Sequence, residues 1–330
     1  MNQTKILLIV FAIFGSVAAW FLLKKGDDKT TVLTWERDFK IENTDEIYKI
    51  FVADRKGNTA TLERDGAHWN LDGKYRASQN VVDNMLDVFR NVEILFIPPA
   101  AAVETMVTDL ATNGIKVEAF DKSGEKIKGY YVGGSTPDER GTFLIREGAE
   151  TPFITSMPNF SGTYWIRFVP QGDKWRDRTV FAYKPEEIAK VTMEYPKQRN
   201  KSFIVERGEN GFDVLPYYDL SAPISGTVSQ GAVEGFLTQF ESLAAENYIN
   251  GSPSLQNVQG KIPFASISVE TISGDLKQIQ IWPMDNIDNS GRIKSPETER
   301  YYCLDNNGDF LLIQQRVFGD ILWAYESFFR

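Results

Sequence analysis

Hydrophobic positions along this chain follow three spacings, and each predicts a different element. The first is an unbroken run: Ile6 to Leu23 is eighteen residues without a charge. A helix of that length reaches roughly 27 Å at about 1.5 Å per residue, close to the hydrocarbon thickness of a bilayer. Trp20 near its end and Lys24-Lys25 beyond it suit a membrane boundary. A signal peptide cut after Val17 and Ala19 is the competing reading, but Trp20 to Leu23 carry the apolar run past that cut. Residues 1–25 are therefore expected to be one transmembrane anchor, and the polar, aperiodic residues 26–40 a tether. Lys5 and the terminal amine nearly balance Lys24 and Lys25. The usual outcome for such a span, with a long domain after it, places that domain outside the cytoplasm.

The second spacing alternates, as strands do, and the third repeats at helical intervals. Both occur twice. Glu46-Ile47-Tyr48-Lys49-Ile50 is matched by Glu187-Ile188-Ala189-Lys190-Val191, and Leu62-Glu63-Arg64-Asp65-Gly66 by Val205-Glu206-Arg207-Gly208. An aromatic follows each of the latter pair, Trp69 and Phe212. Val82, Met85, Leu86 and Phe89 then form a helical stripe after Ser78, and Val233, Phe236, Leu237 and Phe240 repeat it after Ser229. Val117-Glu118 leads to a turn at Ser123-Gly124, as Val269-Glu270 leads to Ser273-Gly274. The same order of features at offsets of about 140 to 150 residues predicts a tandem duplication. The fold class is α+β: two similar units, 41–183 and 184–330, parting near Tyr183-Lys184-Pro185. In each, a mostly antiparallel sheet is expected to pack one face on an amphipathic helix. A further helix is expected over Val103 to Thr112, and another over Asp320 to Phe329.

Composition narrows the function. The chain is 42% hydrophobic and 25% charged, enough for a large core, and its net charge of −9 argues against nucleic acid. With one histidine, His68, and one cysteine, Cys303, a metal set lacks partners and a cysteine nucleophile would have only His68 as its base, so a strand-edge histidine and a packed thiol are expected. No Gly-x-Ser-x-Gly elbow or phosphate loop is present, and no cofactor is expected. Asn286 to Glu297 partly fits a calcium loop, with Asn286, Asp288 and Ser290 at positions 1, 3 and 5, Gly291 at 6 and Glu297 at 12. Asn at position 1, Pro296 inside the loop and a strand pattern upstream favour a hairpin connection instead. Tyr164, Trp165, Phe168, Tyr217 and Tyr218 are candidates for an interface, against the commoner alternative that they fill the core.

The stretch IYKIFVADRKGNTATLERDGAHWNLDGKYRASQNVVDNMLDVFRNVEI, Ile47 to Ile94, resembles the opening of the bacterial family named domain of unknown function 4340. Asp173 to Thr179 resembles the segment before that family's next strand, and the resemblance extends over Glu42 to Tyr195 and more loosely beyond. It implies a membrane helix followed by a periplasmic domain at the bacterial inner membrane. It implies no enzymatic chemistry, and partners among ABC-type export systems of the kind associated with gliding motility. The function expected is therefore a single-pass, extracytoplasmic binding or scaffold protein. Two other readings stand beside it: a hydrolase of an envelope polymer using two convergent carboxylates, and a glycan or small-molecule module.

Overall fold

A computed structural model describes residues 34–209, 211–219, 224, 226–287 and 293–330. The expected anchor, Ile6 to Leu23, lies outside the described residues. Among the described residues no helix is long and apolar enough to cross a membrane. The described chain divides into two compact units, one ending at Trp175 and the next starting at Arg176.

Unit one is a nine-stranded antiparallel sheet. Its strands are β1 (Lys49–Ala53), β2 (Thr59–Asp65), β3 (His68–Leu71), β4 (Tyr75–Arg76), β5 (Glu93–Phe96), β6 (Ile115–Phe120), β7 (Lys126–Ser135), β8 (Thr142–Arg146) and β9 (Phe153–Ser156). They lie in the order β4-β3-β2-β1-β6-β7-β8-β9-β5. Helix α1 (Gln79–Asn91) buries Val82, Met85, Val88 and Phe89 against the sheet, at the spacing the sequence displays. Helix α2 (Ala100–Asn113) leans on the other face through Met106 and Leu110.

Unit two repeats this plan strand for strand. Its sheet comprises β11 (Ile188–Glu194), β12 (Phe203–Gly208), β13 (Gly211–Pro216), β15 (Asn247–Tyr248), β16 (Ala265–Thr271), β17 (Leu276–Ile287), β18 (Ile293–Asp305) and β19 (Phe310–Gln314). The order β13-β12-β11-β16-β17-β18-β19-β15 matches that of unit one with only β4 lacking a counterpart. Helix α3 (Gln230–Thr238) takes the place of α1, burying Val233, Phe236 and Leu237, and α4 (Ser254–Gln259) the place of α2. Side-chain detail repeats as well. The Arg64 Nε donates to the Ile47 carbonyl at 3.1 Å and its guanidinium lies over Trp69 at 5.0 Å. Arg207 does the same to the Ile188 carbonyl at 3.2 Å, over Phe212 at 4.6 Å. At the turns, Asp121 N bonds Glu125 O and Thr271 N bonds Asp275 O, both at 2.9 Å. Gly124 and Gly274 stand there at φ of 86° and 90°, which a side chain would strain.

Several expectations need correction. The units part at Trp175/Arg176, ahead of Tyr183-Lys184-Pro185. The reason is β10 (Thr179–Phe181), which pairs with β14 (Leu243–Ala244) and sinks Phe181 into the core of unit two. Each sheet carries helix on both faces, not one. Thr34 to Lys40, read as tether, folds onto unit one: Phe39 is buried against Phe153, their ring centroids 5.6 Å apart. The final segment forms α5 (Gln315–Phe318) and two 3₁₀ turns, Gly319–Ile321 and Tyr325–Phe328, in place of one helix over Asp320 to Phe329. It still packs inward, with Phe328 edge-on to Phe203 and Phe236.

Candidate functional site

The residues singled out by sequence do not converge. His68 is exposed on β3, where Arg76 donates to its Nδ1 at 3.0 Å. Cys303 is wholly buried on β18, and burial pushes its thiol pKa up, which disfavours the thiolate a nucleophile needs. In the calcium-loop candidate, Asp288 and Ser290 lie outside the described residues. Its ends are strand: Asn286 pairs with Ser295 and Asp285 with Pro296, so positions 1 and 12 belong to the β17–β18 hairpin. The Glu297 carboxylate accepts from the Glu299 N–H at 2.8 Å. Among the described residues no group of three His, Cys, Asp or Glu could hold a metal ion.

Of the interface candidates, Tyr164 and Phe168 are core. The Tyr164 hydroxyl shares a 2.5 Å hydrogen bond with Thr155, and Phe168 packs on Phe89 with ring centroids 5.8 Å apart. Their spacing across a 3₁₀ turn (Trp165–Phe168) aims both inward and leaves Trp165 half-buried. Tyr218 is held by its hydroxyl, which donates to Glu194 Oε1 at 2.5 Å. That bond, with some desolvation, pushes its phenol up to about 12. Tyr217 alone of the five keeps an open face, edge-on to Tyr218.

Two of the charged clusters among the described residues are structural in chemistry. Glu118 on β6 and Glu147 after β8 converge on two lysines. Lys116 reaches Glu118 at 3.0 Å and Glu147 at 3.3 Å, while Lys126 bridges the same two carboxylates. The hydrogen bond from Lys126, followed by that from Lys116, holds Glu147 below the usual carboxylate range. A glycosidase acid needs the opposite shift. In unit two, Arg176 pairs both guanidinium nitrogens with Asp309, at 3.1 and 2.6 Å, above the ring of Tyr248. Asn250 donates to the same carboxylate at 3.0 Å. Burial pushes Asp309 up, but these hydrogen bonds outweigh it and its pKa is lowered.

What the structure offers at its surface is apolar, and it differs between the units. In unit one, edge strand β5 leaves Leu95, Phe96 and Ile97 about half exposed, at 48%, 47% and 47%. Phe96 pairs with Ile154 and Leu144 with Phe153, so β5 runs out at the end of the sheet where β8 reaches Arg146. There Val107 of α2 and Arg146 line one cavity of about 200 Å³, and exposed Trp35 lies under the Arg146 guanidinium at 5.8 Å. The Arg146 Nη1 donates to the Asp38 carbonyl at 2.6 Å, the Lys128 ammonium meets the Asp38 carboxylate at 2.6 Å, and Tyr130 OH donates to the Phe39 carbonyl. Lys40 pairs with Glu93 at the start of β5, at 2.7 Å. In unit two Ile272 at 62% and Leu276 at 55% stand exposed together on the β16–β17 turn, while Ile262 at 61% and Leu215 at 42% are exposed elsewhere on that unit. Beside them Tyr183, Glu186, Glu187, Ser273 and Asp275 line a groove of about 570 Å³. Sequence reasoning passed over both surfaces. One signal was available: Ile94-Leu95-Phe96-Ile97 breaks strand alternation and stops at Pro98-Pro99.

A family model described as Domain of unknown function (DUF4340) matches residues 69–259, more than half of the chain. The chain belongs to this family. No curated protein matches it. In this DUF4340 protein the match begins at Trp69 on β3 and ends at Gln259, the last residue of α4. The matched stretch therefore contains α1 and α2 of unit one together with α3 and α4 of unit two. The edge strands β5 and β15 fall inside it, while the Ile272–Leu276 turn lies beyond it.

Proposed function

We propose that this DUF4340 protein is a single-pass protein of the bacterial inner membrane whose two periplasmic units bind a partner and keep it at the membrane. The partner class is an ABC-type export or gliding-related envelope complex, of which this chain is an auxiliary, non-catalytic subunit. The observation that carries the reading is the unit-two turn, where Ile272 and Leu276 stand exposed beside a groove with acidic walls at Glu186, Glu187 and Asp275. Exposed apolar residues rimmed by charge suit a protein interface better than solvent. The uncharged run Ile6 to Leu23 supports the anchor, and the resemblance of Ile47 to Ile94 supports the partner class.

The hydrolase reading needs one carboxyl kept protonated and another ionised across a substrate cleft. Glu118 and Glu147 are bridged by the same two lysines, and Glu147 is held ionised, which suits neither the acid nor an open cleft. The test of binding is purification of the full chain from its native membrane in mild detergent, with partners identified by mass spectrometry. An ABC ATPase and permease are expected with the wild type and should be lost with Ile272→Asp/Leu276→Asp, whose circular dichroism stays unchanged. Recovery without any transporter subunit sinks the proposal.

A further inference from the structure

The apolar end of unit one calls for a different occupant. We propose that Leu95, Phe96, Ile97, Val107 and Trp35 form a seat on the lipid bilayer itself, so that unit one lies on the membrane surface. This rests on the reading of Ile6 to Leu23 as a membrane span.

Three observations converge on it. First, the five side chains collect at one end of one sheet. β5 runs out where β8 reaches Arg146, which carries Trp35 on the Tyr130 side of the sheet, while Val107 stands with Tyr131 and Ile145 over the opposite side, so the end of the sheet is apolar on both faces. Second, the chain enters unit one at that same end. Only Lys24 to Leu33, ten residues, separate the uncharged run from Thr34, and ten residues fully extended span at most about 36 Å. The entry point is pinned by Arg146 and Tyr130 on the Asp38 and Phe39 carbonyls, by Lys128 on the Asp38 carbonyl and carboxylate, and by Lys40 on Glu93, so the seat is held near the bilayer. Third, the chemistry suits the boundary between headgroup and acyl chain. Trp35 with the Arg146 guanidinium above it is an apolar body with a polar tip. Pro98 and Pro99 close the β5 segment without N–H groups that would need a partner. The cations beside the seat, Arg146, Lys128 and Lys40, are each met by Asp38 or Glu93. The contact is therefore hydrophobic, independent of salt, and made on zwitterionic lipid. The tether removes most of the cost of association, because the patch is already confined beside the surface.

The test uses the full chain in phosphatidylcholine vesicles. Cys303 is wholly buried, so a single new cysteine at Phe96→Cys can carry a nitroxide, with Ile272→Cys as the reference on unit two. Accessibility to dissolved oxygen and to a water-soluble nickel chelate is then read by electron paramagnetic resonance. The proposal expects the label at 96 to be severalfold less accessible to nickel than the label at 272, and more accessible to oxygen. Ile97→Cys should repeat this, which removes dependence on the lost Phe96 ring. If the chain stays in the vesicles after an alkaline carbonate wash while the label at 96 is as wet as that at 272, the seat is overturned and the anchor stands. If the wash strips the chain, the anchor falls and the seat with it. A label at 96 shielded from both reagents overturns the proposal in favour of a protein covering the patch.

Discussion

The two units share a strand order, a pair of helices and a matched arginine, yet they expose apolar residues in reciprocal places. In unit one the edge strand β5 shows Leu95 and Phe96. Its counterpart β15 is two residues long, both half-buried, and its Tyr248 hydroxyl is bonded to the Asp177 carbonyl at 2.5 Å. At the turn the pattern reverses: Lys122 in unit one stands where unit two has Ile272. The sheet faces under α2 and α4 differ too. Next to the pair Ile115–Val132 stands Gly133, while next to Ala265–Ile281 stands Trp282, packed with Val258 and Phe310. The cores under α1 and α3 keep matched apolar positions because packing tolerates little change in volume. At the surface the two units differ most, as Lys122 against Ile272 and Leu95 against the half-buried β15 show.

If the units are separate cores, a disruption in one should leave the other standing. The largest effect should come from Asp309→Ala, which removes the carboxylate that Arg176, itself 4% exposed, meets with two hydrogen bonds. Removing one partner of a buried pair costs about 3–5 kcal/mol. Amide hydrogen exchange should show unit two losing protection while β1, β6 and β7 of unit one keep theirs; equal loss in both would break the comparison. Next comes Gly133→Ala. The added Cβ would lie 3.0 Å from both Leu110 Cδ2 and Phe143 Cβ, and overpacking of this kind costs about 1–3 kcal/mol. Chemical denaturation followed by exchange should place that loss in unit one alone, and no loss would mean α2 sits loosely.

The smallest effect concerns the lysine–glutamate cluster. Glu147→Gln should cost less than about 1 kcal/mol at neutral pH, since the cluster is partly exposed and screened. The hydrogen bond from Lys126 depresses the Glu147 pKa on folding, so its contribution is complete above the unfolded value of about 4.3. It is lost as pH falls through the folded value, and wild type and variant should converge in acid. A difference that persists at low pH would point to packing as its source.

Much of this architecture was legible in the sequence because periodicity reports which side chains face a core. Val82, Met85 and Phe89, and Val233, Phe236 and Leu237, announce the two helices and their burial. Leu62-Glu63-Arg64 and Val205-Glu206-Arg207 announce the repeat. Periodicity is silent on what lies outside a core. At Leu95 and Phe96 the only local signal is the break in alternation before Pro98-Pro99; that β5 is an edge depends on β9 folding beside it from sixty residues away. Tyr164 and Phe168 read as loop aromatics because a 3₁₀ turn has no apolar stripe to show. The unit boundary was placed late because three residues of β10 pair with a strand distant in sequence.

The clasp on Thr34 to Lys40 has a mechanical consequence. Lys128 and Tyr130 belong to β7 and Arg146 to β8, strands bonded to neighbours on both sides. A pull along the chain from the direction of residue 33 therefore loads the interior of the sheet, where rows of hydrogen bonds must shear together. Edge strand β5 takes load only through the Lys40–Glu93 ion pair, and its ladder to β9 is not peeled bond by bond.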